Sequence, residues 1–295
     1  MRAKVAGLCL TLIFSAAASL AQEPIVQYQE AKPLPTHPHG NNLYCSGFYS
    51  SEKVPDDTRL VSGEQSEYKI TFIEGDIVYL SKGASQGVNV GDRFSVIRAE
   101  GDPIKVQSFK WQDKLTKAMG THYYDLGEVV VIKAQPNIAI AKVSTSCNFM
   151  QRGDIVRPFV ERPAGPYKDP SQFDAYAPVS GRPVAMVVRG KDMEQANGRW
   201  ATWYVNLGSA QGVKVGDYFR IFRYQGANGD IIPIPKGYQD RIYGFGSNPK
   251  KYTWNDLPRE ILGEGIVLNA NGNSATILVT TARAEIFAGD YVELE

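Results

Sequence analysis

Residues 78–98 read VYLSKGASQGVNVGDRFSVIR, and residues 203–223 read WYVNLGSAQGVKVGDYFRIFR. Set side by side at a constant spacing of 125 residues, they need no gap and agree at ten of 21 positions. The shared residues include Tyr79/Tyr204, Gly83/Gly208, Gln86/Gln211, Gly87/Gly212, Gly91/Gly216, Asp92/Asp217 and Arg98/Arg223. Working outward, residues 126–156 align with 262–292 at a spacing of 136, from Leu126-Gly127-Glu128 or Leu262-Gly263-Glu264 to a closing Gly-Asp-x-Val. The spacing grows because the second copy carries a longer insert between its two blocks. One whole domain, present twice in tandem, accounts for this, and the unit is too large for a solenoid repeat.

Within each copy the pattern is that of short strands. Ile77 to Leu80 and Trp203 to Val205 are aliphatic, β-branched or aromatic, and each run ends near a glycine. Val88 and Val90 alternate with Asn89, and Val213 and Val215 with Lys214, the period-two signature of a half-buried extended segment. Gly91-Asp92 and Gly216-Asp217 turn the chain, and Phe94, Val96 and Phe219, Ile221 resume the alternation. The expected fold class is all-β: two tandem small barrels of five to seven strands each. The best helical candidate is the brief stretch from Gln112 to Met119.

The 295 residues carry 32 basic and 31 acidic groups, a net +1. That balance excludes a nucleic-acid binder relying on a basic excess to displace counterions. A basic Arg2 and Lys4, an apolar run from Val5 to Ala18 and small residues before Gln22 predict a signal peptide over 1–21. The run is too short for a comfortable membrane span, and no later segment is apolar enough, so no transmembrane segment is expected after cleavage. The mature protein is therefore expected to be exported, periplasmic or envelope-associated. Residues 22–42, rich in proline, read as a flexible arm, 43–158 as the first domain with an N-terminal extension, 159–183 as a Pro-rich linker and 184–295 as the second domain.

Cys9 leaves with the signal, and the remaining Cys45 and Cys147 predict a disulfide in an oxidising compartment, with two separate buried thiols as the alternative. No catalytic, metal-binding or cofactor-binding residue is expected. His37, His39 and His122 show no ligand spacing with the cysteines. The glycine-rich segments lead into strands and not into the helix N-terminus of a phosphate loop. The aligned Gly-Asp pairs lack the flanking acids of a calcium loop, so they read as turns. His122 is the only histidine in either domain, and no Gly-x-Ser-x-Gly elbow is present.

The inserts carry aromatic residues: Phe109, Trp111, Tyr123 and Tyr124 in the first, Tyr238, Tyr243, Phe245, Tyr252 and Trp254 in the second. Such loops either present a binding surface or fold back to cover a barrel end. The pattern Gly-x-x-x-Gly-Val-x-Val-Gly-Asp-x-Phe, then Leu-Gly-Glu and Gly-Asp-x-Val, resembles the C-terminal domain of flagellar assembly protein T. The resemblance covers residues 76–158 and 202–294. It implies a small β-barrel in a periplasmic protein of the flagellar basal-body ring, and its turn glycines and core valines specify fold far better than function. The expected role is that of a non-enzymatic envelope scaffold acting through protein contacts. The alternative is a peptidoglycan- or glycan-binding module that stacks sugars on the insert aromatics.

Overall fold

The computed structural model describes residues 36–100, 107–225 and 258–295. Pro35–Glu295 forms one compact unit. The first copy contains β1 (Phe48–Ser50), β2 (Leu60–Gly63), β3 (Thr71–Phe72), β4 (Ile77–Leu80), β5 (Arg93–Ala99), β6 (Thr121–Ala134), β7 (Ala139–Ser146), β8 (Met150–Gln151) and β9 (Ile155–Pro158). The second contains β10 (Val184–Gly190), β11 (Ala196–Asn197), β12 (Thr202–Val205), β13 (Tyr218–Arg223), β14 (Glu260–Asn271), β15 (Ser274–Ala282), β16 (Ile286–Phe287) and β17 (Tyr291–Leu294). A single turn, α1 (Asn41–Tyr44), precedes β1, and α2 (Gln112–Met119) falls where the sequence places a helix.

The duplication is visible strand by strand. The second copy closes into a barrel in the order β10-β12-β15-β14-β13-β17. The first follows the same path, β2-β4-β7-β6-β5-β9, with β1 added alongside β6. Registers coincide as well: Tyr79 faces Ile140 as Tyr204 faces Thr276, and Val130 faces Lys142 as Ile266 faces Leu278. Even the bulges repeat, after Val96 in β5 and after Ile221 in β13. A one-residue slip would send every core side chain to the outside, so matching bulges keep both copies in phase. The copies differ in closure. β10 and β17 pair along three residues, whereas the first sheet is a curled one whose ends meet at a bridge between Arg59 and Ile155.

The matched motif residues build the same joints twice. Gly87 and Gly212 take positive φ of 87° and 89°, which glycine adopts without steric cost. At Gly83 and Gly208 a side chain would strike the carbonyl oxygens of Gln135 and Asn271 across the barrel rim. The Gln86 and Gln211 side chains accept the N–H groups of Gly83 and Gly208. All four Gly-Asp carboxylates accept a backbone N–H three residues upstream, from Asn89, Gln151, Lys214 and Phe287, which is turn chemistry. Arg98 pairs in a bidentate fork with Asp154, and Arg223 does the same with Asp290.

Both interiors are filled with side chains. Leu60, Phe72, Val78, Leu80, Val96, Val129, Val131 and Val143 pack the first, and Trp203, Phe219, Ile221, Val267, Ile277 and Val292 the second. The linker and the described end of the arm, from residue 36, take part in packing. Thr36 accepts the backbone N–H of Tyr167, and the Tyr44 and Phe159 rings lie 5.2 Å apart. Residues 159–183 are therefore not a free tether between independent barrels.

Candidate functional site

The chemistry-bearing side chains converge where the two copies meet. Residues 43–51 form the wedge between them. Cys45 is bonded to Cys147, with Cα atoms 5.4 Å apart. Asp125 accepts the Gly47 N–H at 3.0 Å and a bidentate fork from Arg162 at 2.8 and 2.9 Å. From this anchorage β1 pairs with residues 121–123 of β6, while its other side faces the second barrel. There Tyr204 Oη donates to the Ser46 carbonyl at 2.8 Å, and Thr276 Oγ1 to that of Gly47 at 3.0 Å. Asn271 Nδ2 and Ser274 Oγ both donate to the Tyr49 carbonyl. Carbonyls that an edge strand would leave open are thus satisfied by the second copy.

Beside the wedge lies a buried polar cluster drawn from five strands or their ends. Glu100 follows β5, His122 and Tyr124 stand on β6, Tyr49 on β1, Arg189 on β10 and Tyr204 on β12. Arg189 grips Glu100 through two contacts of 2.5 and 2.9 Å and also donates to Tyr49 Oη at 3.2 Å. Tyr124 Oη donates to Glu100 Oε1 at 3.1 Å. The His122 ring sits within 4.4 to 4.9 Å of the rings of Tyr124, Tyr49 and Tyr204. Its Nδ1 comes within 3.2 Å of Glu100 Oε2, yet neither ring nitrogen makes an aligned hydrogen bond.

The electrostatics follow from this geometry. Burial opposes the charge on Glu100, but contacts with His122 and Arg189 outweigh it and hold the carboxyl at about 2. Burial pushes His122 below its usual value, and the Arg189 charge adds to that, while Glu100 pulls the other way. Burial raises the Tyr49, Tyr124 and Tyr204 hydroxyls. At neutral pH the cluster is one ion pair surrounded by neutral rings. A cavity of about 170 Å³ opens next to it, lined by the disulfide, Gly47, Tyr124, Asp125, Lys191, Asp192 and Tyr204 among others.

The insert aromatics divide. Phe109 is 2% exposed and packs into the core of the second barrel together with Leu115 of α2, so the first insert is a plug. Tyr123 is also buried, stacked on Phe48 with ring centres 5.2 Å apart. These two fold back as the covering alternative expects, each ring buried among core side chains. Tyr124 is half-buried in the polar cluster, and Trp111 alone of the four is exposed. Tyr238, Tyr243, Phe245, Tyr252 and Trp254 lie outside the described residues. His37 and His39 are exposed. Among the described residues no three His, Cys, Asp or Glu side chains gather in a way that would hold a metal ion. No described helix is long and apolar enough to cross a membrane.

Sequence reasoning missed Glu100, Arg189 and Tyr49. Arg189 and Glu100 lie 89 residues apart and belong to different copies, so no local spacing joins them. Neither a comparison with protein-family models nor one with curated proteins finds a match to this sequence.

Proposed function

We propose that this protein is an exported, non-enzymatic component of the cell envelope that acts as a structural or assembly scaffold through protein contacts. The observation that carries the reading is that both barrel interiors are filled and the two charges at their junction, Glu100 and Arg189, are spent on each other. A barrel without a lumen does its work with its outer surface and loops. The disulfide agrees with passage through an oxidising compartment, to which the signal-like N-terminus would direct the chain. The likeness to the C-terminal domain of flagellar assembly protein T points the same way, toward a barrel used as a building element.

In-cell crosslinking followed by mass spectrometry tests this. The scaffold reading expects defined envelope proteins, or further copies of this chain, joined to it in the periplasmic fraction. Recovery from the cytoplasm with both cysteines reduced would overturn it. The exposed Trp111, with Lys110 Nζ 4.9 Å from its ring centre, supports the glycan alternative. Co-sedimentation with purified peptidoglycan that is lost in Trp111→Ala would favour that alternative.

A further inference from the structure

The two copies present the same outer sheet face, but among the described residues only one of them is covered. In the second barrel this face comprises Tyr204, Thr276, Leu268, Ile266 and Leu278, all buried. What buries it is the stretch leading into the first barrel: Leu43 packs on Ile266, Leu268 and Leu278, and the carbonyls of residues 46–49 meet Tyr204 and Thr276. The equivalent positions on the first barrel are Tyr79, Ile140, Ile132, Val130 and Lys142, in identical register. There Ile132 is 48% exposed, Ile138 beside it is exposed, and Lys142 and Lys133 flank them. Tyr79 keeps the hydroxyl that Tyr204 uses on the Ser46 carbonyl. A clustered apolar patch of this kind marks a contact surface.

The candidate occupant is the stretch leading into the second barrel. Arg283 stands where the first copy has Cys147, and its guanidinium lies over the Tyr176 ring at 5.9 Å, much as Cys45 sits on Cys147. Arg259 stands where the first copy has Tyr123, and it donates to the Pro178 carbonyl, while Phe48 pairs with Tyr123. Residues 176–179 therefore run along the second barrel as 45–48 run along the first. In the first copy that stretch is sandwiched. In the second, no described residue covers its outer side: Ala177 is buried, but Tyr176 is 77% and Val179 68% exposed, and Asp174 next to them is exposed too. Apolar side chains and an acid on the segment complement isoleucines and lysines on the open face.

We propose that copies of this chain associate head to tail, the 174–179 segment of one docking on the open outer face of the first barrel of the next. The contact would repeat between chains the packing already made within one. Because segment and face are different surfaces, the interface is heterologous, and each added copy leaves one of each free. This deepens the scaffold reading by naming a second copy as the partner, and it rests on that reading only for its role. The exported chain, purified with its disulfide intact, is run in sedimentation velocity over a broad concentration series. The expected result is a mass that climbs past the dimer. Ile132→Asp on the face and Tyr176→Asp on the segment should each give monomers with melting temperatures near that of the parent. An equimolar mixture of the two should form a dimer and stop there, since only one intact face and one intact segment can meet. Ile138→Asp and Val179→Asp give the same reading should either first variant fail to fold. A parent that stays monomeric throughout, an assembly untouched by either substitution, or a mixture that remains monomeric would overturn the proposal. Because only this chain is present, such a failure leaves the scaffold reading itself to be decided by crosslinking to other envelope proteins.

Discussion

Replacing Glu100 by Gln removes the charge at the centre of the junction while keeping its shape and one hydrogen-bonding oxygen. The carboxyl is held at about 2 against an ordinary 4.5, and its side chain is only 12% exposed, so water does little to screen it. Keeping it ionised in the fold is worth about 3 kcal/mol at most, at roughly 1.4 kcal/mol per tenfold change in proton affinity. The sign is that of a depressed carboxylate. The contribution is fully present above pH 4.5 and is lost as the pH falls from there toward 2, where both folded and unfolded chains are protonated. Glu100→Gln also leaves the Arg189 guanidinium buried without a counter-charge, which accounts for the same loss from the other partner. Urea unfolding of parent and variant at a series of pH values measures the difference. The parent should be the more stable by up to about 3 kcal/mol near neutrality, and the gap should close on acidification through the 4.5-to-2 window. A gap that stays constant with pH would refute the ion-pair account and leave packing as the cause.

The disulfide spans 102 residues of chain, and its closure stabilises by up to about 4.7 kcal/mol in the chain-entropy view. Thiol titration of the denatured, unreduced protein should find neither Cys45 nor Cys147 free, and Cys147→Ser should lower the melting temperature. Phe109→Ala should cost about 3 to 5 kcal/mol because it empties a place in the second barrel's core, whereas the exposed Trp111→Ala should leave the melting temperature nearly unchanged. A larger loss at Trp111 than at Phe109 would reverse the assignment of plug and surface. Gly208→Ala drives a methyl into the Asn271 carbonyl oxygen, closer than two such atoms can pack, so the rim must open. Circular dichroism should show a lowered transition for that variant, and a parent-like transition would count against the close approach.

The barrel topology is legible in the sequence because its determinants are local. Gly83, Gly87 and Gly91 mark turns within a dozen residues, and the alternation of Phe94 and Val96 marks the strand that follows, whereas Val88 and Val90, expected as an extended segment, lie in the turn itself, Val90 exposed. A pattern that occurs twice also removes the ambiguity of a single occurrence. The helix from Gln112 to Met119 is legible for the same reason, though its purpose is not: nothing near Phe109 says that its ring enters a barrel some 80 residues further on. The junction is illegible because it is assembled from Tyr49, Glu100, His122 and Arg189, whose partners are set by how the two copies dock. His122 stands out in the sequence only by its rarity. Its surroundings of three tyrosines and an ion pair depend on β1, a strand of three residues too short to leave a pattern. The incomplete closure of the first sheet, at Arg59 and Ile155, likewise has no counterpart in the aligned sequences.

The stretch from Leu43 to Ser50 is owned by one copy and used by the other. A cut in the chain at any point between 159 and 183 would leave the downstream half with every strand of its closed barrel. That half would still be incomplete, since Ile266, Leu268 and Leu278 would lose Leu43, and Tyr204 and Thr276 their carbonyl partners. The upstream half would keep a strand whose carbonyls face nothing. Neither half is a finished object, so gene fission or recombination at the boundary that looks most natural in the sequence would yield two sticky fragments, and inheritance has every reason to move them as a pair.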